Sequence, residues 1–171
     1  GNESKTIAKQ GFDPQSVVYV TNRDSSDMAV IDMKTSKVID RIECGACCNP
    51  HMTMATMDRK RLLTPGTQKN YAVIVDLKTR ETKKVRLGIA PEHFVISHDG
   101  RWAYVGDREE GAVSIVDLVN NQEVNRIPGF SILPDMSKVY VSNLGVHEIG
   151  VIDGKSQKLI KTIYVGSLKQ C

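Results

Sequence analysis

Tyr19-Val20-Thr21-Asn22, followed by Val30-Ile31-Asp32, is the stretch that decides the fold, because the pair returns three times along the chain. The later copies are Leu63-Thr64-Pro65-Gly66 with Ile74-Val75-Asp76, Tyr104-Val105-Gly106-Asp107 with Ile115-Val116-Asp117, and Tyr140-Val141-Ser142-Asn143 with Val151-Ile152-Asp153. Successive Tyr/Leu positions lie 44, 41 and 36 residues apart, and successive aspartates are again 44, 41 and 36 apart. Two landmarks that shift together mark a true internal repeat of about 40 residues.

Working outward, each aspartate is followed by a polar turn and a further alternating strand: Val38 to Ile42, Lys84 to Leu87, Glu123 to Ile127 and Leu159 to Ile163. Another strand opens the next unit after a proline, at Pro50-His51-Met52-Thr53-Met54-Ala55 and Pro91-Glu92-His93-Phe94-Val95-Ile96, ending in turns at Asp58-Arg59 and Asp99-Gly100. Strands rich in Val, Ile and Tyr separated by Asn, Asp, Gly and Ser are β-hairpin chemistry. No capped amphipathic helical window is present, so an all-β chain is expected. A four-stranded antiparallel unit of this size cannot bury both its faces alone. Neighbouring units must stack, which makes a β-propeller of four-stranded blades, with repeats at about 14–49, 50–90, 91–128 and 129–166 of a single 1–171 unit. The third spacing is short at Ile127 to Pro134, where the opening strand of the fourth blade belongs and where sequence is expected to be missing. The first blade shows no clear opening strand.

The tetrapeptide at 19–22, with the Val-Ile-Asp segments and the Pro…Asp-Gly turn, resembles the YVTN β-propeller repeat family over nearly the whole chain. The resemblance implies a periplasmic, extracellular or cell-surface propeller, commonly seven-bladed. It is similar in architecture to the propeller parts of cytochrome cd1 nitrite reductase and related periplasmic redox proteins. Four repeats are fewer than seven, so the chain is expected to be one part of a larger ring, the alternatives being a small closed ring or missing residues. The family is defined by its repeat and not by a reaction, so the resemblance assigns no catalytic residue.

Composition narrows the classes. Hydrophobic residues make up 40% and charged residues 25% of the 171 residues, as in ordinary globular proteins. The net charge is +3 and the basic residues are scattered along the chain, which argues against a nucleic-acid surface. No apolar run is long enough to span a bilayer, and the polar start has no signal-peptide core, which still allows a mature exported protein whose signal was removed.

The densest chemistry lies between Cys44 and Met57, where Cys44, Cys47, Cys48, His51 and three methionines fall together. Thiolate, thioether and imidazole suit copper or zinc. Met52 and Met54 read more readily as alternating core residues, and Cys44, Cys47 and Cys48 as disulfide candidates of an exported protein. The haem-attachment pattern C-x-x-C-H is missed, because Cys48 stands in the histidine's place. In a propeller the loops between blades open on the same end as those between second and third strands. That end gathers Arg23, His93, Asp107, Arg108 and His147 as ligand-face candidates. Arg23 and Arg108 occupy equivalent places and could clamp an anion, although acidic neighbours favour ordinary ion pairs. No nucleophile triad, paired-carboxylate motif or phosphate loop stands out.

The expectation is therefore a non-catalytic binding or scaffold propeller without a cofactor, recognising a protein partner, a second copy of itself or a small ligand. The alternative is the propeller portion of a redox enzyme or electron-transfer complex, holding non-covalent haem or a metal.

Overall fold

The structure is a computed structural model that describes residues 16–22, 24–43, 50, 52–66, 68–134, 137–143 and 146–166. Among the described residues fifteen strands run in chain order. Blade 1 holds β1 (Val17–Asn22), β2 (Asp27–Asp32) and β3 (Lys37–Glu43), and blade 2 holds β4 (Met54–Ala55), β5 (Arg61–Gly66), β6 (Tyr71–Asp76) and β7 (Thr82–Arg86). Blade 3 holds β8 (Pro91–Ile96), β9 (Trp102–Asp107), β10 (Ala112–Asp117) and β11 (Gln122–Pro128). Blade 4 holds β12 (Ser131–Pro134), β13 (Lys138–Asn143), β14 (Glu148–Asp153) and β15 (Leu159–Tyr164). Each sheet is an antiparallel meander in which consecutive strands pair, and no α-helix occurs among the described residues.

The repeat aspartates explain why these strands turn where they do. Asp32 accepts the amide of Lys34 at 3.1 Å, Asp76 those of Lys78 and Thr79 at 2.8 and 2.9 Å, and Asp153 that of Ser156 at 2.9 Å. Asp117 does the same for Val119 and Asn120 at 2.9 and 3.1 Å. The residue four places after each aspartate then adopts a left-handed backbone: Ser36, Arg80, Asn121 and Gln157, at φ 56°, 66°, 55° and 60°. A short acceptor that satisfies the turn amides offsets the strain of a non-glycine residue there.

Alternation along the strands feeds three apolar layers between the blades. Blades 1 and 2 share Val17, Met28, Val30 and Ile42 against Leu62, Val73 and Val75. Blades 2 and 3 meet through Leu63, Ile74 and Val85 against Phe94, Val105 and Val116, and blades 3 and 4 through Tyr104, Val113 and Ile115 against Val139, Val141 and Ile152. Met52 packs against the layer between blades 2 and 3, as the sequence suggests. Met54 does not join it and is 39% exposed.

The expected gap before blade 4 is absent. Its opening strand β12 is present and pairs with β13 from Ser131↔Ser142 to Pro134↔Val139. The chain saves length in the linker, where only Gly129 and Phe130 separate β11 from β12, and again between β12 and β13, which three residues separate against five between β8 and β9. Gly129 has φ 127°, and a methyl group on it would strike Val141, so the short crossing needs a glycine.

Val116 and Ile152 are fully buried in different layers. Replacing either by Asp should cost several kcal/mol and abolish cooperative unfolding. Urea denaturation followed by circular dichroism tests this; a soluble variant melting like the parent would contradict the strand assignment.

Candidate functional site

The inter-blade linkers and the loops between second and third strands open on one end of the stack, and blade 3 brings the most chemistry there. His93 sits on the innermost strand β8, just past an irregularity in its pairing with β9 between Pro91 and His93. Its partner in register is Gly106. The imidazole lies against that glycine so closely that any β-carbon there would collide with the ring. Phe130, from the linker to blade 4, meets the imidazole edge-on with centroids 4.3 Å apart. Neither imidazole nitrogen is hydrogen-bonded among the described residues. A half-buried imidazole held by a glycine seat and an aromatic edge, with no hydrogen bond to its nitrogens among the described residues, is suited to ligate a metal centre.

The next residue of β9, Asp107, faces the opposite side of the sheet. It is fully buried, its Oδ2 accepts the Ser114 hydroxyl at 2.6 Å, and its Oδ1 has no partner among the described residues. Gly88 lies over it, and a methyl group there would strike both Asp107 and Glu110. Glu110 accepts the Ile89 amide at 2.9 Å and a two-point contact from Arg126 at 3.0 and 3.2 Å. Burial pushes the Asp107 carboxyl up to about 6, with Glu110 and Glu123 adding to the rise while Ser114 and Arg126 oppose it. Burial therefore favours the protonated form of this carboxyl in the blade 2–blade 3 seam, and its neighbour Glu110 tethers the linker that leads into β8.

The remaining ligand-face candidates behave differently. Arg108 pairs with Glu92 at 3.4 Å and Glu109 at 3.6 Å, which makes it a surface ion pair instead of an anion clamp. His147 is exposed in the β13–β14 loop with φ 54°, and its carbonyl accepts the Val165 amide at 3.0 Å. His93 and Asp107 are adjacent in the sheet but on opposite faces of it. Arg23, Cys44, Cys47, Cys48 and His51 lie outside the described residues. Among the described residues no group of three or more His, Cys, Asp or Glu side chains is placed to hold a metal ion, and no helix is long and apolar enough to cross a membrane.

Sequence reasoning missed Gly106, Phe130, Gly88, Ser114 and Glu110. One signal was available: where the other blades carry Thr21, Pro65 or Ser142, blade 3 carries Gly106.

Radially stacked four-stranded antiparallel blades define a β-propeller. The sequence matches the family described as the Cytochrome D1 heme domain over residues 12–144, and the chain belongs to that family. The YVTN resemblance is compatible with it. No curated protein matches the chain in sequence. The fold is similar to Kuenenia stuttgartiensis hydrazine synthase, with TM-score 0.70 and 20% identity over 88% of this chain and 47% of that one. Dihydro-heme d1 dehydrogenase NirN in complex with DHE gives TM-score 0.75 and 18% identity over 91% and 36%. Apo AztD from Citrobacter koseri gives TM-score 0.69 and 17% identity over 88% and 44%. The chain spans less than half the length of each of these structures. These matches correct the cofactor expectation: a propeller without a cofactor is not what a haem-domain family implies.

The pKa of Asp107, about 6, lies above its ordinary 3.8, so the native state holds this proton more tightly than the unfolded chain. Its contribution to stability is complete below about pH 4 and is lost as pH rises through about 6. Asp107→Asn should therefore gain on the parent as pH rises across that window, measured as the difference in urea midpoint. The turn aspartates, whose pKa values are lowered, act alike in both proteins, so a pH-independent difference would refute the buried-acid assignment.

Proposed function

We propose that the chain is the haem-binding propeller portion of an extracytoplasmic redox protein, with its ligand on the loop-rich end of the blades. The observation that carries this is His93: an innermost-strand imidazole with no hydrogen bond to its nitrogens among the described residues, seated on Gly106 and flanked by Phe130, in a chain of the Cytochrome D1 heme domain family. These residues fit the group. His93 would hold the group through an imidazole nitrogen, and Phe130 would place an apolar wall beside that ring. When bound, the haem supplies one-electron chemistry at iron. The protein's part is to orient the imidazole, exclude water beside it and keep the β7–β8 linker fixed through Glu110. Structural neighbours that include a dihydro-heme d1 dehydrogenase in complex with DHE support this reading over a bare scaffold. The loop end remains open to a protein partner of the kind multi-part redox complexes need.

Haem titration of the purified full chain, followed by absorption spectroscopy, tests the proposal. A saturable, red-shifted Soret band is expected, lost in His93→Ala and recovered when imidazole is added. A band identical in parent and variant would remove His93 from the site, and the absence of saturable binding would sink the haem reading.

A further inference from the structure

The four blades differ sharply in charge. Residues 50–90 carry nine Lys and Arg against three Asp and Glu, whereas residues 91–128 carry three against seven. In blade 3 all three arginines are neutralised locally: Arg101 by Asp117, Arg108 by Glu92 and Glu109, and Arg126 by Glu110 and Glu123. In blade 2 the one ion pair among the described residues is Arg80 with Asp40 of blade 1. Three of the nine stand at the β4–β5 turn as Arg59, Lys60 and Arg61, beside Asp58, and three on the outermost strand β7, where Lys83, Lys84 and Arg86 are exposed around the buried Val85 and none has an ion-pair partner among the described residues.

Guarding a sheet edge against aggregation does not explain three uncompensated cations. Lysine at an edge discourages strand pairing, but the equivalent edge β15 manages with Lys161 alone, and β3 and β11 mix both signs. Like charges at alternate positions repel, a cost that an opposing surface would relieve. The one carboxylate close in sequence, Glu81, lies in the turn before the strand. Five residues of strand span about 17 Å, the scale of a small electrostatic contact and not of a long backbone-tracking groove. The Lys84 ammonium lies 5.3 Å above the neighbouring Tyr71 ring and takes up one of its two faces.

We infer that the β7 edge of blade 2 is a docking strip for an acidic protein surface. It lies on the outer rim, away from His93, and the inference does not depend on haem. Contacts of this kind steer encounter and set salt sensitivity more than they add affinity.

The probe is a fluorescein-labelled polyglutamate peptide titrated with the full chain and read by anisotropy. Reversing the strip (Lys83→Glu, Lys84→Glu, Arg86→Glu) should weaken binding by about tenfold or more at low salt. Reversing the same number of exposed charges on blade 4 (Lys155→Glu, Lys158→Glu, Lys161→Glu) should weaken it by less than about threefold. Circular dichroism confirms folding; should the triple reversal misfold, the glutamine versions at the same three sites replace it. Equal losses in the two triples would show a net-charge effect and overturn the strip. A single-stranded oligonucleotide or an anionic lipid vesicle binding the same residues more tightly than polyglutamate would overturn the acidic-protein assignment.

Discussion

Everything in this molecule depends on blades burying one another. In β10 every residue from Ala112 to Asp117 is buried, yet the strand has no core of its own: Val113 and Ile115 enter the layer shared with blade 4, and Val116 the layer shared with blade 2. β6 is divided in the same way between blades 1 and 3. Each buried Val or Ile is worth roughly 1.5–3 kcal/mol, and in this geometry that gain exists only when the neighbour is in place. Polar links cross the same seams, two of them between side chains at repeat turns. Tyr104 donates to Gln157 at 2.6 Å, bridging blades 3 and 4, and Arg80 reaches Asp40 at 2.6 Å between blades 1 and 2. In both cases one partner is the left-handed residue that closes a repeat turn, so the turn that ends a hairpin also ties adjacent blades.

This coupling explains what could be read in advance. A turn that needs an acceptor at one place writes an aspartate there in every copy, and a strand serving two cores writes an apolar residue at nearly every position. Both marks recur with the blade and so are visible without coordinates. The linker before blade 4 misled because its shortness depends on a single backbone geometry, Gly129 at φ 127°, which carries no periodic signature. The site was legible only in part, for the same reason. Counting strands gathers His93, Asp107 and Arg108 on one end, but does not apportion them among roles. Which face each takes depends on the irregular pairing after Pro91, and the burial of Asp107 depends on Gly88 arriving from a linker nineteen residues earlier.

Charge shows the same difference between a chain and a surface. The lysines and arginines look dispersed because apolar residues separate them, as Val85 separates Lys84 from Arg86. A strand turns that dispersal into order, since exposed positions along one edge line up once the sheet forms. Blade 3 answers its arginines with its own carboxylates, whereas blade 2 does not. The fold thus joins a basic blade directly to an acidic one, giving the surface a polarity that the overall +3 conceals.

The end blades show what the stack requires. Val18 and Val20 occupy the repeat positions of Leu62 and Thr64 in blade 2, of Ala103 and Val105 in blade 3, and of Val139 and Val141 in blade 4. Those six residues are at most 3% exposed, each turned toward the preceding blade, whereas Val18 and Val20 are 44% and 40% exposed. On the far side, Tyr140 is half-buried where its counterpart Tyr104 is fully buried. The residue types at these open positions are those of an interior seam and not of a solvated face. A propeller blade of this design is therefore written for two neighbours, and the outward faces of blades 1 and 4 carry the same apolar instruction as the three seams that the structure fills.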